Sequence, residues 1–259
     1  MNAALVHRTT RCISVTEAGE RFYLQCVDIL ARIERAVEGA GGERQLHGQL
    51  RISAPPSFST TVIAPHLQEF LKNHPELTFD LQVRSSLPDL VRERLDAAIV
   101  ISDEPPNKQT RIPLAENPQV MCASASYVQS CGLPTTPDDL ARHRCLMARF
   151  SQLAEGWPLR IGGDWVNYKP RVVVLCDDGE VLRRACLHGA GIALLYRFHV
   201  EQNLRGGDLV EVLPNYPAKP KQIFAVVPHR EILPPHVKAY LDFMHAILGR
   251  TLPGESCIA

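Results

Sequence analysis

The sequence predicts an α/β fold in which one long helix precedes a domain of alternating strands and helices. The first observation is an apolar stripe at steps of four and three within residues 16–38. The second is the alternation, from residue 49 onward, of short apolar runs with helical periods, which is typical of βα units and a mostly parallel sheet. The third is the composition, 45% hydrophobic and 22% charged over 259 residues, which is that of an ordinary globular protein of one or two domains.

The long helix is predicted to begin after Thr16, a suitable N-cap, and to end before the glycines at positions 39, 41 and 42. Its other faces are polar or charged, so the apolar stripe needs one partner surface. A glycine-rich, charged joint at 39–48 separates the helix from the rest of the chain, which favours pairing between two copies over packing on its own domain. The predicted dimer seam consists of Phe22, Cys26, Ile29 and Ile33.

Three strands and two helices are predicted next. The strands lie at 50–54, 77–84 and 96–102, and the helices between them lie at 61–73 and 86–94. The shorter helix is predicted from Ser86, an N-cap with Asp89 three residues on, which together form a capping box. Residues 110–115 and 119–123 are predicted to be extended.

A second, smaller domain is predicted after residue 123. It has short helices at 124–130 and 136–141, a strand at 144–149, and a hairpin at 157–168 that turns at Gly162-Gly163. A βαβ unit follows, with strands at 171–175 and 191–195 around a helix at 177–188. Its inward residues are predicted to be Val181, Leu182, Ala185 and Cys186. The proline-rich segment 214–220 is predicted to return to the first domain, where a strand at 223–227 and a helix at 236–248 follow.

Particular runs within this order of elements resemble the LysR-type transcriptional regulators. The densest match is His7-Arg8-Thr9-Thr10-Arg11 followed by residues 14–20, Ser-Val-Thr-Glu-Ala-Gly-Glu, which is similar to the wing and the start of the linker helix in that family. The resemblance extends over essentially the whole chain, through residues 50–55, 96–99, 121–127, 140–143 and 189–195.

The resemblance implies a winged helix-turn-helix, a dimerising linker helix and an effector domain of two α/β subdomains like those of periplasmic binding proteins. Residues 1–15 would then be a wing remnant, 16–40 the linker helix and 48–259 the effector domain. Subdomain I would comprise 48–117 and 218–259, and subdomain II would comprise 118–217. Few residues precede Arg8, so the recognition helix is expected to be missing, through a fragment, a start chosen downstream or a natural truncation.

The resemblance also implies a function: sensing a small-molecule effector in a cleft and controlling transcription from promoter DNA as a dimer or tetramer. In a wing, Arg8, Thr9, Thr10 and Arg11 would contact phosphate oxygens, which positions a protein without reading bases. The formal net charge of zero leaves no basic excess beyond such a local patch. The alternative is a small-molecule-binding and dimerisation module without independent DNA binding.

Effector-binding candidates lie where strands run into helices, because N–H groups at helix N-termini favour anions. By their positions in the family, the candidates from the two subdomains would lie on the two opposite walls of the cleft. Helix capping is an alternative for each residue, and the aspartates could instead select an amine, a cation or a hydroxyl. The candidates are Ser57, Phe58, Ser59 and Thr60; Ser85 and Ser86; Ile101 and Ser102; Ala123; and Asp177, Asp178 and Gly179.

Other function classes find little support in the sequence. There is no G-x-S-x-G, P-loop or H-E-x-x-H motif, and the eight cysteines show no zinc spacing, so no catalytic residue, metal or cofactor is predicted. Cys176 with Asp177 and His188 is the nearest approach to a nucleophile and base, and Cys122 or Cys176 could serve as a redox sensor. No apolar run approaches the roughly 20 residues of a membrane span, and no secretory signal is evident, so a cytoplasmic location is predicted.

Overall fold

A computed structural model of the chain describes residues 4–8, 13–38, 46–103, 110–149, 156–228 and 233–252. Its strands are β1 (Val6–Arg8), β2 (Ile13–Val15), β3 (His47–Ala54), β4 (Glu76–Val83), β5 (Ala97–Ser102), β6 (Thr110–Asn117), β7 (Gln119–Ser124), β8 (Cys145–Ala148), β9 (Trp157–Ile161), β10 (Asp164–Tyr168), β11 (Val172–Cys176), β12 (Ile192–Tyr196), β13 (Leu209–Glu211) and β14 (Lys221–Val227). Its helices are α1 (Glu17–Glu38), α2 (Pro56–Phe58), α3 (Ala64–Asn73), α4 (Ala125–Cys131), α5 (Gly179–Leu187), α6 (Arg197–Gly206) and α7 (Pro235–Thr251), with a π-helix at Ser59–Ile63 and a 3-10 helix at Pro137–Arg142.

The N-terminal part is a small hairpin joined to the long helix. Strands β1 and β2 pair antiparallel, and the Thr16 hydroxyl oxygen accepts a hydrogen bond from the Gly19 N–H at 2.9 Å, which caps α1 as predicted. The Thr16 hydroxyl also donates to the Ala4 carbonyl at 2.7 Å. A Cβ at position 19 would lie 2.0 Å from the Leu5 carbonyl oxygen, so the close approach of hairpin and helix requires glycine there. Thr9, Thr10 and Arg11 lie outside the described residues.

Two lobes follow, each built on a five-stranded sheet. The first lobe has the strand order β4-β3-β5-β14-β6, covered by α2, α3 and α7, and the second has the order β11-β8-β12-β7-β13, covered by α4, α5 and α6. The core of the first lobe includes Leu50, Ile52, Phe70, Tyr240 and Met244, all at most 1% exposed. The predicted α/β class is therefore confirmed.

The predicted mostly parallel pairing is wrong. In the first lobe β3 pairs parallel with β4 and β5, but β14 pairs antiparallel with β5 and with β6. In the second lobe β8 pairs parallel with β11 and β12, whereas β7 pairs antiparallel with β12 and β13. The reason is topological: β14 comes back from the second lobe, as predicted from the proline-rich crossing, and enters the first sheet from the opposite end.

Prolines explain two further corrections in the first lobe. The helix predicted at 61–73 already begins at Pro56, whose ring suits the first helical position, and the Ser59 N–H donates to the Pro55 carbonyl at 2.8 Å. The helix predicted from Ser86 is absent, because Pro88 keeps the residue before it out of the helical region. A single turn forms instead from Asp89, whose carboxylate accepts the Arg92 N–H at 3.0 Å.

Two corrections concern the second lobe. Val181, predicted to point inward from α5, is 52% exposed, because the packing face of this helix is formed by Leu182 and Cys186. Helix α6 and strand β13 are not predicted at all. The α6 sequence RFHVEQNLRG carries only a short apolar segment among polar residues, so its periodicity is weak.

An aromatic contact joins the lobes. Phe198 belongs to α6 of the second lobe, yet it is 3% exposed and packs in the core of the first. Its ring meets Phe58 edge-on at a centroid distance of 5.6 Å, and Tyr196 stacks on its other side at 5.6 Å. The lobes are thus held together by side-chain packing in addition to the chain crossings. No helix in the described part of the chain is long and apolar enough to span a membrane.

We expect Phe198→Ala to lower the free energy of unfolding by about 3 kcal/mol, because truncating a buried phenylalanine removes burial and leaves a cavity. Urea denaturation followed by circular dichroism measures this change. Val181→Ala is the matched control on an exposed position and should alter stability by less than about 0.5 kcal/mol. Equal effects of the two substitutions would contradict the anchoring role of Phe198.

Candidate functional site

The two lobes enclose a cleft of about 600 Å³. The ends of β3, β4 and β5 contribute one wall, and the starts of α5 and α6 with the end of β12 contribute the other. The crossing segment before β14 closes one side. The wall of the first lobe includes residues 55–57, 84–88 and 99–103, and the remainder includes Gln119, Ala148, Asp178, Gly179, residues 194–196, His199, Lys219 and Lys221.

Seven of the predicted effector-binding residues line this cleft. They come from both lobes, so the structure brings the three predicted corners to one place. These residues are Ser57, Ser85, Ser86, Ile101, Ser102, Asp178 and Gly179.

Five predicted residues do not line the cleft. Because the helix begins at Pro56, the next turn directs Phe58 and Ser59 into the core, where they are 0% and 3% exposed. Ala123 is likewise buried in the core of the second lobe. Thr60 faces a neighbouring cavity, and Asp177 is exposed outside both cavities. Their placement therefore does not support direct contact with a ligand in the cleft.

One carboxylate that lines the cleft caps a helix, whereas three of the lining hydroxyls make no hydrogen bond within the described residues. The Asp178 carboxylate accepts the Val181 N–H at 2.9 Å and so caps α5. In contrast, α2 has no side-chain cap, and among the described residues the hydroxyls of Ser57, Ser85 and Ser86 make no hydrogen bond. The capping interpretation thus holds for Asp178, whereas the three serine hydroxyls are available to a ligand.

Positive side chains outnumber negative ones along the cleft. Arg84, Lys219 and Lys221 face Asp103 and Asp178, three cations against two acids. Lys221 pairs with Asp103, but Lys219 is exposed and makes no ion pair within the described part of the chain.

Two further residues line the cleft: Arg84, whose guanidinium is held in place, and Tyr196, whose phenol is neutral. Arg84 is held by Glu93 at 2.6 Å and by Gln82, so its guanidinium is fixed at the end of β4. Burial, with Asp103 nearby, raises the pKa of Tyr196 to about 12, so its phenol stays neutral. The cleft therefore offers a guanidinium held in place and a neutral phenol.

His199 forms part of the wall, and its ring is held by the carboxylate of Glu180. Its Nε2 lies 2.9 Å from Oε2 of Glu180, and its side chain is 3% exposed. Glu180 also accepts hydrogen bonds from Arg183 and Arg184, and the pKa of Glu180 is lowered to about 2, chiefly by Arg183. Burial lowers the pKa of His199, so its ring is neutral near pH 7.

The sequence-based prediction missed several lining residues. Lys219 lies in the proline-rich crossing and Lys221 begins β14, so the run K-P-K was a usable signal, and Arg84 directly precedes the predicted Ser85 corner. Tyr196 and His199 stand at and after the end of β12, where no helix was expected. The α6 segment gave no local signal for them.

The cysteines that the structure describes do not form a reactive centre in the cleft. A hydrogen bond with Cys186 and burial raise the pKa of Cys122 well above its usual range, which disfavours the thiolate. Cys176 is half-buried beside Asp177, while His188 lies at the far end of α5. Among the described residues no group of three or more histidine, cysteine or acidic side chains could hold a metal ion.

Comparisons with known proteins fit this architecture. Residues 43–248 match the family model of the LysR substrate binding domain. The chain is 33% identical to the HTH-type transcriptional regulator DmlR of Escherichia coli K12, over 99% of this chain and 84% of the relative. It is 31% identical to the HTH-type transcriptional activator TtdR of the same strain, over 86% of this chain and 72% of the relative.

Solved structures give the same picture. CrgA, a LysR-type transcriptional regulator from Neisseria meningitidis, superimposes with a TM-score of 0.73 at 24% identity, covering 95% of this chain and 84% of CrgA. The full-length virulence activator AphB of Vibrio cholerae superimposes with a TM-score of 0.68 at 28% identity, again covering 95% of this chain and 84% of AphB.

The hydrogen bonds of the cleft predict which substitutions affect stability. We expect Asp178→Ala to lower the free energy of unfolding by about 1 kcal/mol, since it removes the cap of α5. Ser57→Ala and Ser86→Ala should change it by less than about 0.5 kcal/mol, because their hydroxyls cap nothing. Thermal unfolding of the three variants decides the point, and a large loss in a serine variant would mean that capping is its role.

Proposed function

The chain belongs to the LysR-type transcriptional regulators, and from this premise we propose that its interlobe cleft binds a small effector carrying a carboxylate or similar acid group. LysR-type regulators control transcription, bind promoter DNA and effectors, and form oligomers. The proposal for this chain concerns the chemistry of the effector and the way in which its binding is transmitted.

The observation that carries the proposal is the charge of the cleft. Lys219 provides a positive charge without an acidic partner among the described residues, and Ser57, Ser85 and Ser86 provide uncommitted hydroxyls in the same cleft. Charge-assisted hydrogen bonds from such donors are about twice as strong as neutral ones, so an anion gains most from this set. Asp103 does not oppose an anion fully, because Lys221 already neutralises it.

An effector in this cleft would contact both lobes at once. Ser86 and Arg84 belong to the first lobe, whereas Gly179 and His199 belong to the second. A ligand shifts a conformational equilibrium only by its differential affinity for the two states. Contacts from both lobes give a ligand that differential affinity, since they are complete in one relative position of the lobes only.

Helix α1 is the proposed route to the oligomer. Phe22, Ile29 and Ile33 are 38%, 55% and 54% exposed, and Cys26 is half-buried between them in the stripe. Apolar side chains at this spacing on an exposed helix favour pairing with the same helix of a second copy. We therefore propose a homodimer or homotetramer assembled through this seam.

The hairpin before α1 is the proposed DNA contact. Antiparallel β1 and β2 have the form of a wing, and Arg8 ends β1. Phosphate contacts from Arg8, Thr9, Thr10 and Arg11 would add to the affinity for promoter DNA without selecting its sequence. In this proposal the protein is a regulator without a catalytic role, and it requires no cofactor.

We expect Lys219→Gln to weaken binding of succinate about tenfold, because a charged hydrogen bond to one of its two carboxylates is lost. A thermal-shift titration with succinate measures the change. Lys238→Gln removes the same charge from an exposed position on α7 outside both cavities and is the matched control. Unchanged acid binding in Lys219→Gln would argue against the proposed anion contact.

We expect Ile29→Asp to convert the oligomer into a monomer, because it places a charge in the apolar seam. Size exclusion with light scattering gives the mass directly. Gln25→Asp introduces the same charge beside the seam, at an exposed position, and should leave the mass unchanged. An oligomer that survives Ile29→Asp would show that α1 does not hold it together.

A further inference from the structure

His199 forms a wall between two cavities. Together with Pro56 and Asp178, it lines both the interlobe cleft and a neighbouring cavity of about 730 Å³ between α5, α6 and the helical segment at the start of α3. The side chain of His199 is only 3% exposed, and its two ring nitrogens are distinct, so each can have a separate role.

The Nε2 edge is committed to the neighbouring cavity. Glu180, which lines that cavity, lies 2.9 Å from Nε2 and is itself fixed by Arg183 at 2.7 Å. Arg183 in turn donates to Asn203 at 2.7 Å, which ties α5 to α6. Because a carboxylate accepts, Nε2 must carry the hydrogen, and in the neutral ring Nδ1 then carries a lone pair.

The Nδ1 edge faces the corner where the lobes meet in the cleft. A Cβ built on Gly179 would lie 3.7 Å from Nδ1 and 3.9 Å from Oγ of Ser57, so the three residues border one position that a methyl group fits without a clash. Within the described residues, Nδ1 makes no hydrogen bond.

The start of α5 adds donors to the same corner. The helix begins at Gly179, and Asp178 accepts the N–H groups of Val181, through its carboxylate, and Leu182, through its carbonyl. The N–H groups of Gly179 and Glu180 thus precede the first intrahelical bond and favour an anion. A ring nitrogen that makes no hydrogen bond among the described residues, on a side chain that is 3% exposed, therefore lies with a helix N-terminus and the Ser57 hydroxyl at one corner.

We propose that this corner is the acid-binding subsite of the cleft and that a carboxylate binds there together with one proton, carried by Nδ1 of His199. This inference rests on the proposed function and adds the specificity-determining residue. The proton comes from solvent, and no other bond forms or breaks. In the complex, Nδ1–H and the Ser57 hydroxyl donate to the carboxylate, and Nε2–H remains with Glu180.

The charged groups around the ring determine the sign of the pH dependence. Burial lowers the pKa of His199, Glu180 and Asp178 oppose this, and Arg183 adds to it. Residues 56–65, the part of the first lobe that faces the ring, carry no titratable side chain. Above the pKa of free His199, binding must take up one proton, so affinity for the acid falls about tenfold per pH unit. Conversely, a bound carboxylate raises the pKa of His199.

Acetate is the probe, titrated into the full chain from about pH 6 to about pH 8 while ring signals of the histidines are followed by NMR. We expect acetate to raise the pKa of His199 and its affinity to fall about tenfold per pH unit above the free value. His199→Gln keeps an amide donor for Glu180 but takes up no proton, so its acetate affinity should be independent of pH.

Gly179→Ala is the second variant, because its methyl group meets no heavy atom nearer than 3.7 Å and so fits without a clash. It should occupy the corner and block acetate while the His199 signal still shows contact with Glu180. In wild type, acetate affinity that does not vary with pH, or an unchanged His199 pKa, would overturn the role of His199 and leave the proposed function standing. Binding of ethylamine but of no acid at any pH would overturn the proposed function as well.

Discussion

The burial of Phe198 against Phe58 is the contact on which the rest of the site depends. It places a side chain of the second lobe in the core of the first, with the rings edge-on at 5.6 Å. The neighbouring residue, His199, is thereby held where the two lobes meet, and Tyr196 is stacked along the cleft wall. A cleft between two lobes is useful to a sensor only if their relative position is defined, and this anchor defines it on one side.

Electrostatic pairing determines what the cleft can recognise. Two of its cations are matched within the protein, Lys221 by Asp103 and Arg84 by Glu93. Ion pairs near the surface contribute little net free energy. The donors that have no acidic partner therefore decide which ligand the cleft selects. These are Lys219 and the serine hydroxyls, and all of them favour an acid. The carboxylate of Asp178, the obvious competitor, is already occupied as the cap of α5.

Local signals in the sequence predicted the helices and strands, but not the direction of each strand or which residues of each helix face the core. Thr16 as a cap, the strands around Leu50 and Ile99, and the return of the chain after residue 220 were all accessible from spacing and propensity. The antiparallel β14 was not, because strand direction depends on where a chain re-enters a sheet. Phe58 and Ser59 were assigned to the cleft because the first helix was expected five residues too late, and one early turn rotates both into the core. His199 was missed since its environment comes from α5 and the first lobe, both distant in sequence.

The measurement that tests the central claim most directly is a thermal-shift titration of the wild-type chain with matched pairs of acids and amines, such as benzoate with benzylamine and acetate with ethylamine. A ligand that binds the folded state and not the unfolded state raises the melting temperature, and the stabilisation grows with the logarithm of one plus the ratio of ligand concentration to Kd. The account predicts that acids raise the melting temperature and that amines of the same size leave it unchanged. Stabilisation by the amines without stabilisation by the acids would contradict it.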